Sequence, residues 1–359
     1  MDALVMFLYD IPLLGLLFQF GGYVISILPT TGPIFLFAAA PIALGSLCGL
    51  MNERSGIVNI GIEGMMLTSA FVSAYAASLM VASGATVGGD APFGASTPLI
   101  VGVLAAMIAG MLVSSLHAWL TITIRTDQII SGTIINITAL GLTSYLNQIL
   151  SKASPPNAGT FQPFIVPADI VELPVIGWFI NAILNQRPIT LSIIVLVIAM
   201  QILLFRSRWG LRTRAVGEHP KAAETVGIDV IRLRYRNVIL GGIFAGLAGA
   251  SLALESAGSF QNNMTVGRGF IALAALIFGR WTPLGAFGAA ILFTASEALE
   301  RSIRFVPPPG QLGEIMIGIP LQVYGALPYL ITIVVLAGFV GRSTAPAAVG
   351  QPYERERRH

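Results

Sequence analysis

The chain has 359 residues, of which 55% are hydrophobic and 10% charged, with a formal net charge of +3 and a mean hydropathy of +0.81. A soluble domain carries about 25% charged residues, so a water-soluble globular fold is excluded, and repeated apolar runs of about 20 residues indicate an all-α polytopic membrane protein. One cysteine, Cys48, inside an apolar run, rules out a disulfide framework, and the small positive charge gives no reason to invoke nucleic acid.

In chain order, the pattern predicts spans at Val5–Leu28, Pro33–Met51, Gly61–Ala82, Leu99–Ile124, Ile129–Leu150 and Ile189–Phe205. These are followed by Val238–Gly258, a shorter Gly269–Phe278, Leu284–Leu299 and a region from Glu314 to Gly341 interrupted at Pro320 and Pro328. The expectation is about ten transmembrane helices with broken or re-entrant segments, in a single integral membrane domain over residues 1–359. The first segment lacks a basic leader and carries Asp2 and Asp10, so it reads as a retained helix and not a cleaved signal.

Polarity divides the loops. Residues 207–236 form the most charge-rich interval, where Arg208, Arg212, Arg214, Lys221, Arg232, Arg234 and Arg236 outnumber Glu218, Glu224 and Asp229. Short basic loops resist translocation, which puts this one on the cytoplasmic face. Alternation from a cytoplasmic N-terminus then puts Arg54, Arg125, Arg280 and the tail 342–359, with Arg342, Arg355, Arg357 and Arg358, inside. Lys152, Arg187, Arg268, Arg301 and Arg304 fall outside, and the Pro-rich loop 151–188 forms an outer cap with a short helix near Val175–Leu184. Trp119, Trp209 and Trp281 fall near the inner interface and Trp178 in the outer loop, where tryptophan commonly anchors.

Within the central loop, Pro220 suits a first helical position and Gly227 the residue past a helix end, with competent helix formers between them. One turn or two of helix is too short to stand alone in water. It is either a docking element for a cytoplasmic partner or an incidental turn in a positive-inside loop.

Two stretches break the apolar pattern. Asn52–Gly64 (NERSGIVNIGIEG) and Ser259–Phe270 (SFQNNMTVGRGF) are polar and contain glycines, and the second precedes a helix too short to span comfortably. Irregular backbone at membrane depth persists only where it is buried or lines a cavity, and paired interruptions in two halves of a transporter mark a central site. Glu63 is either beside that path or a carboxylate placed at a helix start, where the dipole favours it. His117, Asn136, Asn147, Glu255 and Glu297 are isolated polar groups in or at the ends of spans, with Glu255 and Glu297 placed near the outer mouth. The small residues Gly242, Ala245, Gly246, Gly249 and Ala250 suit close helix packing. No metal-ligand spacing and no nucleophile elbow is present. Neither Lys152 nor Lys221 sits in a phosphate-binding Walker loop, so the chain has no nucleotide site of that kind.

Three ordered motifs carry a family resemblance: NERSGIVNIGIEGMM (Asn52–Met66), RWGLRTRAVGEHPKAAETVGI (Arg208–Ile228) and NMTVGRGFIALAALIFGRWTPLGA (Asn263–Ala286). Together with Gly341–Tyr353, they resemble the membrane permease of bacterial ABC importers, in the nucleoside-uptake branch of the family that also serves ribose-type sugars and branched-chain amino acids. The resemblance implies a subunit with no cofactor of its own and no enzymatic activity. ATP and Mg would be bound by a separate cytoplasmic ABC ATPase, a second permease would complete the path, and an extracytoplasmic nucleoside-binding protein would deliver cargo across the cytoplasmic (inner) membrane. It assigns Glu218, His219, Pro220, Ala222, Ala223, Glu224 and Gly227 to the ATPase-coupling helix. Asn59, Glu63, Asn136, Asn262, Asn263 and Arg268 become candidates for the substrate path. A sugar or branched-chain amino-acid cargo, and an ion-coupled secondary transporter, are the competing readings; an intramembrane enzyme lacks a converging catalytic set.

Overall fold

A computed structural model of the chain describes residues 12–87, 92–153, 157–171, 173, 176–320, 323–324, 326, 330 and 344–354. Within the central part of the chain the helices are α1 (Pro12–Glu53), α2 (Ile62–Ala82), α3 (Thr97–Ala118, continued by a π turn Trp119–Thr123) and α4 (Gln128–Ala153). They continue with α5 (Ala168–Val171), α6 (Ile176–Leu184), α7 (Pro188–Arg206), α8 (Arg208–Glu218) and α9 (Pro220–Thr225). Last come α10 (Val230–Ala250, continued by a π segment Ser251–Ala257), α11 (Arg268–Phe278), α12 (Pro283–Phe305) and α13 (Gln311–Gly318).

Among the described residues, six helices are long and apolar enough to cross a membrane, and three more apolar helices are shorter. The expected ten spans are therefore not all present as full-length helices. Two differences from the sequence expectation have clear causes. First, α1 runs for 42 residues through Pro29, Pro33 and Pro41, where two spans were expected. A proline removes one ladder hydrogen bond but does not oblige a chain to stop where neighbours re-satisfy the freed carbonyl. Second, α10 starts at Val230, eight positions before the expected Val238, so the end of the basic loop from Val230 to Arg236 belongs to this helix. Asp229 caps it, its side chain accepting from the Arg232 amide at 3.0 Å. The short outer helix expected near Val175–Leu184 is α6, and the short span expected at Gly269–Phe278 is α11. Most of residues 321–343, the tail beyond Glu354, Asp2, Asp10 and the Glu297 side chain lie outside the described residues.

The described residues divide into two compact units. The smaller draws on Met1–Ala38, Ile165–Gln186 and Ile291–Phe339, and packs Tyr23, Ile27, Ile303, Leu312, Met316 and Tyr324 into one apolar cluster. The larger draws on Ala39–Phe164, Arg187–Ala290 and Val340–His359. In it α2, α3 and α10 interlock through glycines. A side chain at Gly246 would stand 2.6 Å from the Ala106 carbonyl, and one at Gly249 would stand 2.7 Å from the Ala70 amide. Such close approach is the expected use of small residues between membrane helices. The outer side of α3 exposes Ile100, Leu104, Ile108, Leu112 and Leu116 at every fourth position, an apolar stripe suited to lipid.

Candidate functional site

The first expected break is present: α1 ends at Glu53, residues 54–61 are irregular, and α2 starts at Ile62. Buried irregular backbone must find partners, and here side chains from three other helices supply them. The Val58 amide donates to Gln128 Oε1 at 2.6 Å, and His117 Nε2 lies 3.0 Å from the Val58 carbonyl. His117 Nδ1 meets Ser131 Oγ at 3.1 Å, so this buried histidine joins helices. Asn136 clamps the start of α2, donating to the Ile60 carbonyl at 3.0 Å and accepting from the Gly64 amide at 2.7 Å. Glycine is required here, because a Cβ on Gly64 would sit 2.9 Å from Asn136 Cα.

The second break is a tight turn that opens α11. Asn263 and Val266 have positive φ (56° and 46°) beside Gly267 at 80°, a conformation that is strained for a β-branched residue. The two breaks meet through Glu63. Its carboxylate accepts from the Gly267 amide at 2.8 Å and the Gly269 amide at 2.6 Å, occupying the N-terminus of α11. At the other end, Arg54 Nε donates to the Trp281 carbonyl at 2.8 Å, and its Nη2 reaches the same carbonyl at 2.7 Å. A helix of 11 residues is about 16 Å long, half of a hydrocarbon core of about 30 Å. The anion and the cation of one segment thus bracket this half-helix with the signs its dipole favours. The helix-start reading of Glu63 holds: it lies in the first turn of α2, and it also caps a second helix some 200 positions later.

The path candidates therefore fall into two groups joined by that cap: Asn59, Glu63 and Asn136 at the start of α2, and Asn262, Asn263 and Arg268 around the turn. Three of the six, Glu63, Asn136 and Arg268, hold backbone. Asn59 is fully buried, with Nδ2 on Met65 Sδ at 3.5 Å and Oδ1 lacking a partner. Arg268 reaches the Met264 carbonyl at 3.4 Å. Asn262 and Asn263 are exposed, and Asn262 accepts from Asn147 Nδ2 at 2.9 Å, extending a polar chain from Tyr75. The remaining buried carboxylates are also engaged. Glu255 takes the Ile189 amide at 2.6 Å and the Thr190 hydroxyl at 2.7 Å, capping α7. Glu53 accepts from Trp281 Nε1 at 2.5 Å. Trp281 is buried by that contact, so it does not serve as the interfacial anchor the sequence implied.

The basic loop folds as expected around Pro220 and Gly227. α9 starts at Pro220, Gly227 has φ 85°, and the Ile228 amide closes back on the Ala223 carbonyl at 3.1 Å. The buried side of α9 is Ala223, clustered with Val216, Val230 and Tyr353. Glu218, His219, Lys221 and Ala222 are exposed. They line a cleft of about 720 Å³ whose far wall is Ala347, Ala348 and Gln351–Glu354. Arg54, just past the end of α1, lies close to this end of the unit. Burial pushes its pKa down, and Glu218 partly offsets the shift.

The tail's part in this cleft escaped the sequence reading, for no local periodicity marks it. The Ala347 amide donates to Glu218 Oε2 at 3.2 Å and the Ala348 amide to the Gly217 carbonyl at 2.9 Å. Tyr353 OH bonds the Glu224 carboxylate. Among the described residues, no group of three or more His, Cys, Asp or Glu side chains is placed to hold a metal ion.

Residues 34–336 match a family described as branched-chain amino acid transport system / permease component. The chain is 38% identical over 339 residues to the guanosine ABC transporter permease protein NupQ of Bacillus subtilis (strain 168), covering 93% of this chain and 99% of that one. It is 38% identical over 320 residues to the nucleoside ABC transporter permease protein NupC of Lactococcus lactis subsp. cremoris, covering 89% and 94%. A putative glucose ABC transporter permease, TsgC13 of Haloferax volcanii, is 32% identical over 333 residues, covering 89% and 95%. Bacillus subtilis also supplies a more distant match, the guanosine permease protein NupP, at 27% identity. No solved structure matches.

Proposed function

The chain belongs to the branched-chain amino acid transport system / permease component family, and we propose that it is the membrane permease subunit of an ATP-driven importer whose cargo is a nucleoside. The observation that carries the cargo assignment is end-to-end identity of 38% to a guanosine permease protein and to a nucleoside permease protein. The protein is a multi-pass membrane protein. Pairing with a second, divergent permease is supported by two distinct guanosine permease relatives in one organism, NupQ and NupP. An extracytoplasmic binding protein delivers the nucleoside, and a cytoplasmic ABC ATPase, which holds ATP and Mg, supplies the drive.

In this reading α9 is the coupling helix. Its exposed Lys221 and Ala222, with Glu218 and His219 just before it, meet the ATPase at the cleft, and the basic residues around them keep that end and both termini in the cytoplasm of an inner-membrane protein. The site has features suited to a neutral cargo. Its buried carboxylates are occupied as helix caps or by Trp281, which leaves Asn262, Asn263 and backbone groups near the break to touch the nucleoside. A weakly binding path favours release, so affinity resides in the binding protein. When ATP closes the ATPase pair, the coupling helices move and the bundle alternates its opening.

Purification of the chain from native membranes tests this. An ATPase subunit should accompany it, and nucleosides with their binding protein should stimulate hydrolysis. Stimulation by glucose in preference to nucleosides would transfer the assignment to sugars, the reading that the glucose permease relative supports.

A further inference from the structure

The coupling helix is joined to the broken segment 54–61 by the chain's own tail. Described from 344 to 354, the tail lies across the same end of the larger unit as α9. It holds α9 through Tyr353 on Glu224 and the end of α8 through the Ala347 amide on Glu218, 3.2 Å away. A few residues along, the Gly350 amide donates to the Gly56 carbonyl at 3.2 Å, inside the broken segment. Arg234 ties the two together from beneath. This guanidinium is 2% exposed; its Nε donates to the Ser55 carbonyl at 3.0 Å and its Nη1 to the Gln351 carbonyl at 3.2 Å. Its charge also lies 5.8 Å from the centre of the Tyr353 ring. The contact surface is closely fitted: Gly56 has φ 90°, and a Cβ there would stand 2.6 Å from Arg234 Nη2 and 3.1 Å from the Ala348 carbonyl. The planar guanidinium offers several N–H groups in a fixed fork, which suits two carbonyls from different segments.

We propose that residues 344–354 form a strap that passes displacement of the coupling helix to segment 54–61, and hence to the Glu63 cap on α11, with Arg234 as the positioning residue at the junction. This rests on the importer reading above and adds the route by which the drive reaches the path. Two sites linked through one rigid connection share a coupling free energy, and loosening the connection lowers that coupling without dismantling either site.

The test uses the complete transporter in proteoliposomes, with both permeases, the ATPase and the binding protein, and reads nucleoside taken up per ATP hydrolysed. This ratio is insensitive to the fraction of complex that folds, since misfolding lowers uptake and hydrolysis together. Arg234→Lys keeps the charge but replaces the fixed fork of Nε and Nη1 by a single nitrogen. It is expected to lower the ratio by about fivefold or more, the lower end of typical coupling between sites, while the ATPase stays bound in native proportion. Tyr353→Phe keeps the ring and removes the hydroxyl bond to Glu224, and is expected to lower the ratio in the same direction by a smaller factor. A native ratio in both variants overturns the strap. Loss of the ATPase from the Arg234→Lys complex also overturns it, because the segment would then be a docking surface. Failure of the unaltered complex to take up nucleoside at the expense of ATP would instead overturn the importer reading.

Discussion

Replacing Glu63 by glutamine isolates the cap between the two broken segments. The carboxylate accepts two backbone N–H bonds, at 2.8 and 2.6 Å, and a bond to a charged group is worth about 1.5–3 kcal/mol. Glutamine keeps one acceptor, turns an N–H donor toward the other amide, and loses the favourable charge at the N-terminus, itself worth about 0.3–1 kcal/mol. Water has little room to substitute, because the Glu63 backbone already stands 2.6 Å from where a Gly269 Cβ would be. The summed loss is about 3 kcal/mol, which raises the local opening of α11 about 100-fold. Hydrogen exchange of the amides from Gly267 to Ala272 in the detergent-purified protein reads that opening directly. A change of less than about threefold at those amides, with opening still local, would refute the capping argument. If uptake were lost at the same time, Glu63 would become a cargo contact.

Three further outcomes follow from close approaches and caps. Gly110→Ala drives a methyl toward the Gly242 carbonyl and to within 2.8 Å of the Gly246 amide; it should cost about 1–3 kcal/mol and lower the yield of monodisperse protein, whereas Gly141→Ala, with open space around it, should not. Glu255→Gln removes charge-assisted bonds to the Ile189 and Thr190 amides and to the Thr190 hydroxyl; it is expected to cost about 2 kcal/mol, seen as a lower onset of thermal aggregation and faster exchange at the start of α7. Gly227→Ala meets no neighbour but must hold φ 85°, a strain of about 1 kcal/mol, so it should weaken binding of the ATPase about fivefold in a titration while the bundle melts as before.

The extent to which these features were legible depended on how far apart in the chain their causes lie. α9 was readable because proline, helix formers and glycine stand in order over eight residues. The breaks were readable because glycine and asparagine interrupt apolar runs, and α11 because its apolar run is short. The length of α1 was not, since prolines at 29, 33 and 41 read locally as stops. The early start of α10 was hidden by Arg232, Arg234 and Arg236, which resemble loop residues until burial of Arg234 is known. Pairings such as Glu63 with Gly267 or Arg234 with Gln351 bridge long separations and leave no periodicity in either partner. The same holds for the tail, whose small residues became informative only once their amides were seen on Gly217 and Glu218.

What the buried acids do also bears on the class of transport. An ion-coupled carrier needs a carboxylate that can bind and release a proton or cation as the path alternates, and intramembrane acids of that kind face a cavity or one another. Among the described residues the buried acids are Glu53, Glu63 and Glu255, and each accepts at least one hydrogen bond from the surrounding structure. Two of them sit on helix N-termini, where neutralisation would forfeit both hydrogen bonds and the interaction with the dipole. A cycle of protonation would therefore weaken the start of α7 or α11 at every turn. In the proposed importer, work done from outside the bundle, through α9 and the tail, would move the same helices with their caps intact.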